Sequence, residues 1–196
     1  MNPDAVEARL DELSRKWARI GAWLTVPPHP SPIDLESLIA ETARWVREDP
    51  RLFQVVATWL AANHDLVDPV PLANALAELG EPDSATAGAL LSLALAAAGE
   101  APELEPPLRV CRPTSPARPL FTVTERSRLF TEFAREDADP LFLRWGFWSG
   151  DTSLKPRALR GRAWILRNAP ELRSRAKYMS RPPAVYDRPV PPQAPG

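Results

Sequence analysis

The sequence is poor in the residues that bind metals or form disulfides. Its 196 residues include one cysteine, Cys111, and two histidines, His29 and His64. A lone cysteine rules out a disulfide within the chain, and a zinc site needs three or four Cys or His ligands at short spacing. We therefore expect no metal, and we expect a cytoplasmic protein because nothing calls for an oxidising compartment. Cys111 is expected to be a small buried hydrophobic residue, the alternative being a thiol whose pKa is lowered by Arg109 and Arg112.

Motifs for catalysis and nucleotide binding are also missing. The eight glycines are scattered, and the sequence contains no G-x-x-x-x-G-K-[ST], G-x-G-x-x-G or G-x-S-x-G motif. His29 lies among prolines and His64 follows a predicted helix end, so both are expected to be structural, His64 by capping that helix end. The sequence therefore predicts no catalytic residues, no cofactor, and a protein that is not an enzyme.

The sequence has no long apolar run. The longest, Ala85 to Ala98, is shorter than the ~20 residues that a membrane-spanning helix needs. Residues 1–25 carry Asp4, Glu7 and Asp11 within the stretch where a signal peptide would be apolar. We therefore expect a soluble protein that has no membrane partner.

Basic residues are distributed unevenly. Residues 1–150 hold 14 Lys and Arg against 22 Asp and Glu, a net charge of −8, whereas residues 151–196 hold 10 against 3, a net charge of +7. Residues 61–108 contain no Lys or Arg at all. This segregation indicates that the C-terminal part meets something acidic, which is nucleic acid, a partner protein or the acidic body of the chain itself.

The N-terminal residues 1–25 form a predicted pairing helix. Apolar residues alternate at steps of four and three along it, as on a helix that packs lengthwise against another helix. Two partners fit this pattern, the helix's own domain and a second copy in a homodimer formed through residues 6–24. The apolar positions are Val6, Leu10, Leu13, Trp17, Ile20 and Leu24.

Residues 33–124 form the predicted core of a mainly α-helical fold. Four amphipathic or apolar helices are expected between residue 33 and Gly99, the second starting at Asp49 and Pro50 and the third at Asp68. Short strands are expected to follow at 108–112 and 120–124. Helices followed by a hairpin indicate a winged-helix-like core with a short β-hairpin and with helices appended at both ends. The hairpin would place three arginines for contacts with nucleic acid, namely Arg109, Arg112 and Arg118.

Residues 125–178 are predicted to be C-terminal helices with a basic arm, followed by a disordered, proline-rich tail at 179–196. A helix from Pro156 to Asn168 would turn Leu159, Ala163 and Leu166 inward and leave Arg157, Arg160, Trp164 and Arg167 outward. Arginine forks bind phosphate or carboxylate in a bidentate manner. The residues expected to bind nucleic acid or an acidic partner are Lys155, Arg157, Arg160, Arg162, Trp164, Arg167, Arg173, Arg175 and Lys177, with Trp145 and Trp148 docking the partner.

A family resemblance rests on the same region. The segments "LRWGFW" and "KPRALRGRAWILRNAPEL" resemble the C-terminal portion of helix-turn-helix regulators and of antitoxin components in bacterial toxin pairs, through Trp164, Leu166, Asn168 and Pro170. The resemblance implies transcription regulation by operator DNA binding, together with sequestration of a partner. The helix that would read DNA begins at Asp83 and has no basic residue, which departs from that pattern.

Together these features predict a non-catalytic bacterial regulator or antitoxin-like adaptor. It would bind a partner protein through the basic aromatic C-terminal segment, and the same segment would offer a binding site for DNA. The alternative is a structural subunit of a multiprotein assembly that binds no nucleic acid.

Overall fold

The structure, a computed structural model, describes residues 2–22, 33–122, 132 and 134–180, with side chains up to Lys177. It confirms that the chain is mainly helical. The helices are α1 (Pro3–Arg19), α2 (Leu35–Trp45), α3 (Pro50–Asn63), α4 (Pro69–Ala77), α5 (Asp83–Ala98), α6 (Glu105–Val110), α7 (Pro140–Leu143), α8 (Pro156–Asn168) and α9 (Pro170–Ser180). The strands β1 (Arg118–Pro119) and β2 (Phe147–Trp148) have two residues each, and short 3-10 helices lie at Val46–Glu48, His64–Leu66, Pro102–Leu104 and Thr152–Leu154.

The many prolines fit this helical fold because they stand at helix starts. Asp49, Asp68 and Asp139 each precede a proline, and each aspartate accepts hydrogen bonds from backbone N–H groups of the first helical turn. Proline at the first helical position loses no intrahelical hydrogen bond, and the capping carboxylate satisfies donors that the helix itself cannot. Aspartate followed by proline therefore marks where these three helices begin.

Helix α5 is the central element of the core. Its residues from Ser84 to Ala94 are buried, and it packs against α3 and α8. The close packing depends on small residues. Gly88 lies against the indole ring of Trp145, whose Nε1 donates a hydrogen bond to Ser92 Oγ at 2.9 Å.

The N-terminal helix packs into the same core. Leu13, Trp17 and Ile20 have no exposed surface, and Trp17 Nε1 donates a hydrogen bond to Thr42 Oγ1 at 2.8 Å. The predicted apolar face of α1 is therefore largely covered by the chain's own helices. Leu24 lies outside the described residues, and the homodimer through residues 6–24 stays a prediction.

The end of α1 also anchors the C-terminal helices. Gly21 has a φ of +83°, and a Cβ at this position would lie 3.1 Å from the carbonyl oxygen of Leu172 in α9. Ala176, further along α9, is fully buried. The C-terminal segment, expected as an appended arm, therefore packs on the core.

The predicted β-hairpin is wrong. Residues 108–110 lie in α6 rather than in a strand, and β1 occupies only Arg118–Pro119. β1 pairs with β2 in parallel, which requires a long crossover instead of a tight turn. An alternation of five residues is too short to distinguish a strand from a helix of similar length.

Several predicted segments lie outside the described residues. They are residues 23–32 with His29, residues 123–131 and 133, and the tail from residue 181 onward. Met179 and Ser180, expected in the disordered tail, belong to α9. No helix in the described part of the chain combines the length and apolarity required to cross a membrane.

The contact between Gly88 and Trp145 yields a stability prediction. Gly88→Ala inserts a methyl group into the indole ring and should lower the free energy of unfolding by about 1–3 kcal/mol. Gly161→Ala is the matched control, because Gly161 is an exposed residue inside α8 with no atom near its missing Cβ. This variant should gain about 0.5–1 kcal/mol. Denaturant unfolding measures both, and equal or greater stability of Gly88→Ala would contradict the packing described here.

Candidate functional site

Helix α8 presents its two faces to different surroundings. Leu159 and Ala163 are buried and Leu166 is half-buried, in contact with α3 and α5. These are the three residues that helical spacing predicts on the inward side. The opposite side must therefore face solvent.

The outer face of α8, defined as Arg157, Arg160, Arg162, Trp164 and Ile165, combines positive charge with exposed apolar surface. Trp164 is 67% exposed and Ile165 is 60% exposed. All three arginines are exposed. The side chains of Arg157 and Arg162 form no hydrogen bond or ion pair with any residue that the structure describes. Among the described residues, Arg160 reaches only the carbonyl oxygen of Ala96, at 3.3 Å. This face thus carries positive charge that no described carboxylate neutralises.

Other predicted binding residues are held within the protein. Arg173 is paired with Asp65 and also donates a hydrogen bond to Asn63 Oδ1 at 2.5 Å. Arg175 is half-buried, whereas Lys155 and Lys177 are exposed. The predicted basic arm therefore divides into an outer face that is open to a partner and a set of arginines engaged with the core.

A buried histidine connects α8 to the core. His64 Nδ1 lies 2.8 Å from Glu103 Oε2, and its Nε2 lies 3.0 Å from Arg167 Nη1. A guanidinium can only donate, so Nε2 must be the acceptor, and Nδ1 then carries the hydrogen that is donated to Glu103. His64 is therefore neutral in this arrangement. His64 stands at the C-cap position of α3, as the sequence predicts, and its side chain also bridges Glu103 and Arg167.

The carboxylates of this cluster are stabilised in their charged forms. Burial acts to raise the pKa of Asp65, but the hydrogen bond and the charge of Arg173 outweigh burial, and the pKa lies below its ordinary value. Burial likewise acts to raise the pKa of Glu103, whereas its hydrogen bonds with His64 and with the backbone lower it, and the net pKa lies below its ordinary value. Both groups hold α8 and α9 to the core as anions.

Asp65 should make stability depend on pH in one direction. A carboxyl whose folded pKa is depressed contributes stability above its unfolded pKa and loses it as the pH falls through the folded value. Asp65→Asn should therefore lower the free energy of unfolding by about 1 kcal/mol or less near neutral pH. The difference from the wild type should shrink as the pH drops below the ordinary value of 3.8.

Denaturant titrations at several pH values measure this difference. Glu105→Gln is the control, because Glu105 pairs with Arg109 on the exposed side of α6. If the difference in free energy of unfolding between Asp65→Asn and the wild type grew on acidification, Asp65 would not be held as an anion.

The residues predicted as hairpin contacts belong to different elements of the fold. Arg109 pairs with Glu105 within α6 at 3.2 Å, and Arg112 Nη2 donates to the carbonyl oxygen of Leu79 at 2.6 Å, at the end of α4. Arg118 is half-buried in β1. Without a hairpin there is no wing to present them together.

The prediction that Trp145 and Trp148 dock a partner is wrong. Trp145 is 4% exposed and packs on α5, and Trp148 is 9% exposed and packs with Ala134 and Ala138. Both tryptophans are packing residues. A cluster of aromatic residues in a sequence does not distinguish a core from a docking surface, since both bury the same side chains.

The cysteine is inert. Cys111 is buried, its Sγ donates to the carbonyl oxygen of Pro107 at 3.4 Å, and burial raises the pKa of its thiol to about 12, with Arg112 opposing this only in part. The expected role of a buried hydrophobic residue is confirmed, and the activated thiol is wrong. At about pH 8, a water-soluble aromatic disulfide should react with this cysteine rapidly in denaturant and very slowly in the native protein. Equal rates in the two states would contradict this burial.

A groove lies beside the outer face of α8. Its volume is about 230 Å³, and it lies between α3 and α8 and is also lined by Ala22, which follows α1. No sequence pattern predicts this groove, because Ile165 adjoins the inward residue Leu166 and isoleucine is a residue type usual in protein cores. The lining residues are Ala22, Gln54, Val55, Thr58, Arg162, Ile165 and Leu166.

The described part of the chain contains no group of three or more His, Cys, Asp or Glu side chains that could hold a metal ion.

A scan against protein-family models, a search of curated proteins and a search of solved structures each find no match to this chain.

Proposed function

We propose that this chain is a non-catalytic adaptor that binds an acidic partner protein through the outer face of α8. The observation that carries the proposal is the exposure of Trp164 and Ile165 beside arginines that have no carboxylate partner among the described residues. The bacterial, cytoplasmic setting expected from the sequence belongs to the same proposal.

The residue types on this face are those that dominate binding energy at protein interfaces. Tryptophan and arginine are enriched among interface hot spots, and charged residues of one sign favour a partner of the opposite sign. Trp164 also stands on a helix whose inward side is fixed by Leu159 and Ala163. A partner would therefore meet a preorganised surface and would lose little free energy in ordering it.

The resemblance to antitoxin components supports the same function. Residues Trp164, Leu166, Asn168 and Pro170, which carry that resemblance, lie on or next to α8. Sequestration of a partner protein by this helix would be an adaptor function of the proposed kind.

DNA binding by a regulator is the second candidate, and one observation favours it. Arg157 and Arg160 lie on the same exposed helix as Trp164, an aromatic ring on which a base could stack. Under this candidate the helical core would be a winged-helix-like body and α8 would contact the nucleic acid. Helix α5 is poorly suited to be the recognition helix that contacts DNA bases, because its first turns are buried and residues 61–108 contain no Lys or Arg.

Crosslinking distinguishes these functions. A photoreactive phenylalanine analogue replaces Trp164 in one variant and Arg135, an exposed residue in another part of the chain, in the control. We expect a discrete protein adduct from position 164 alone. A nucleic-acid adduct would favour the regulator, and absence of any adduct at 164 would contradict both and favour a structural subunit.

The identified partner then allows a quantitative prediction. Trp164→Ala should change the free energy of unfolding by less than about 0.5 kcal/mol, because the side chain is mostly exposed. It should cost about 2 kcal/mol or more of binding free energy, roughly thirtyfold in affinity, if Trp164 is a hot spot. Calorimetric titration of the purified partner measures the loss, and unchanged affinity would contradict the proposal.

A further inference from the structure

The groove between α3 and α8 is mostly apolar because its polar groups are already engaged. Thr58 Oγ1 donates a hydrogen bond to the carbonyl oxygen of Gln54 at 2.7 Å, and Gln54 Nε2 donates to the carbonyl oxygen of Ser153 at 3.0 Å. Val55, Ile165 and Leu166 contribute hydrocarbon to the lining. A ligand in the groove would thus meet apolar walls.

One charged group of the lining has no partner among the described residues. The guanidinium of Arg162 forms no hydrogen bond or ion pair with any described residue. Arg162 and Ile165 are three positions apart on α8, so their side chains lie on the same side of the helix. The groove therefore combines an apolar slot with a single positive charge at its wall.

The size of the groove favours a side chain over a small molecule. Its volume of about 230 Å³ is below the roughly 300–1,000 Å³ typical of small-molecule sites. A groove between two helices suits the apolar face of a helical peptide, whose anchor residues recur at helical spacing. A carboxylate next to the anchor would complement Arg162.

Nucleic acid fits the groove poorly. A phosphate backbone requires several cations in a row, and this slot offers Arg162 alone amid apolar walls. Bases would stack on Trp164 at the outer face of α8 and would leave the groove empty. The charge and the apolar lining together select an acidic protein segment.

We infer that the groove binds an apolar side chain from an acidic helical segment of a partner protein, with a carboxylate of that segment paired to Arg162. The inference rests on the proposed adaptor function and specifies its partner as an acidic amphipathic helix. Ile165 and Leu166 would contact the apolar anchor, and Trp164 would cover the segment from the side.

The four isoleucines of the chain make a selective assay possible. Ile20 and Ile39 are fully buried, Ile33 is half-buried, and Ile165 is the exposed member of the set. Methyl labelling of isoleucine in the full chain therefore gives one reporter in the groove and internal controls in the core. Ile165→Leu identifies the reporter signal by its loss.

The probe is a short synthetic helical peptide that has leucines at i, i+3, i+4 and i+7 and glutamates between them. We expect it to shift the Ile165 methyl signal while the Ile39 signal stays in place. Arg162→Glu should weaken this binding about tenfold. Arg135→Glu, which reverses an exposed charge outside the groove, is the matched control and should leave binding nearly unchanged.

Three further ligands complete the test: a peptide with alanines for leucines, a peptide with lysines for glutamates, and an oligothymidylate. The inference fails if the Ile165 signal does not move with the acidic peptide, or moves equally with a peptide that has alanines for leucines or lysines for glutamates. It also fails if an oligothymidylate shifts Ile165 more strongly. Binding of the lysine peptide that is tighter to Arg162→Glu than to the wild type would support the charge pairing directly.

The groove and the adaptor function can fail separately. If Trp164→Ala abolishes binding of the crosslinked partner while Arg162→Glu leaves it intact, the adaptor function stands and the groove is not used. If neither variant affects that partner, the adaptor function itself is contradicted.

Discussion

The packing of α8 against α3 and α5 is the constraint on which the rest of the molecule's functional surface depends. Leu159 and Ala163 are buried, and because a helix repeats every 3.6 residues, this fixes which residues face outward. Trp164 and Ile165 are therefore exposed as a consequence of core packing. The buried face of the central helix α5 carries mostly small side chains, and Gly88 leaves room there for the indole ring of Trp145.

Polar contacts fix the far end of the same helix. Arg167 donates to His64, which in turn donates to Glu103, and Arg173 of α9 pairs with Asp65. These side chains come from segments that are remote in sequence, so their free energy is gained only once the core has formed. Hydrogen bonds and ion pairs of this kind specify position more than they add stability, because desolvation offsets much of their gain.

The sequence predicted those parts of the structure that local rules determine. Aspartate before proline marked the starts of α3 and α4, and the spacing of Leu159, Ala163 and Leu166 identified the inward face of α8. Features that depend on contacts between remote segments could not be predicted by such rules. A run of five alternating residues became part of α6, aromatic residues at Trp145 and Trp148 entered the core, and the groove beside Ile165 arises only when α3 and α8 meet.

The positive charges of the C-terminal part fall into two groups in the folded chain. Arg173 is matched by the carboxylate of Asp65, so part of the C-terminal charge neutralises the acidic body and fastens α9 to it. Arg157 and Arg162 have no such match among the described residues. An acidic partner would be repelled by the body, net −8 over residues 1–150, and attracted by the part with net +7. The field of the protein would thus orient an approaching acidic helix toward α8 before any contact forms, and the apolar groove would then discriminate among acidic segments by their anchors.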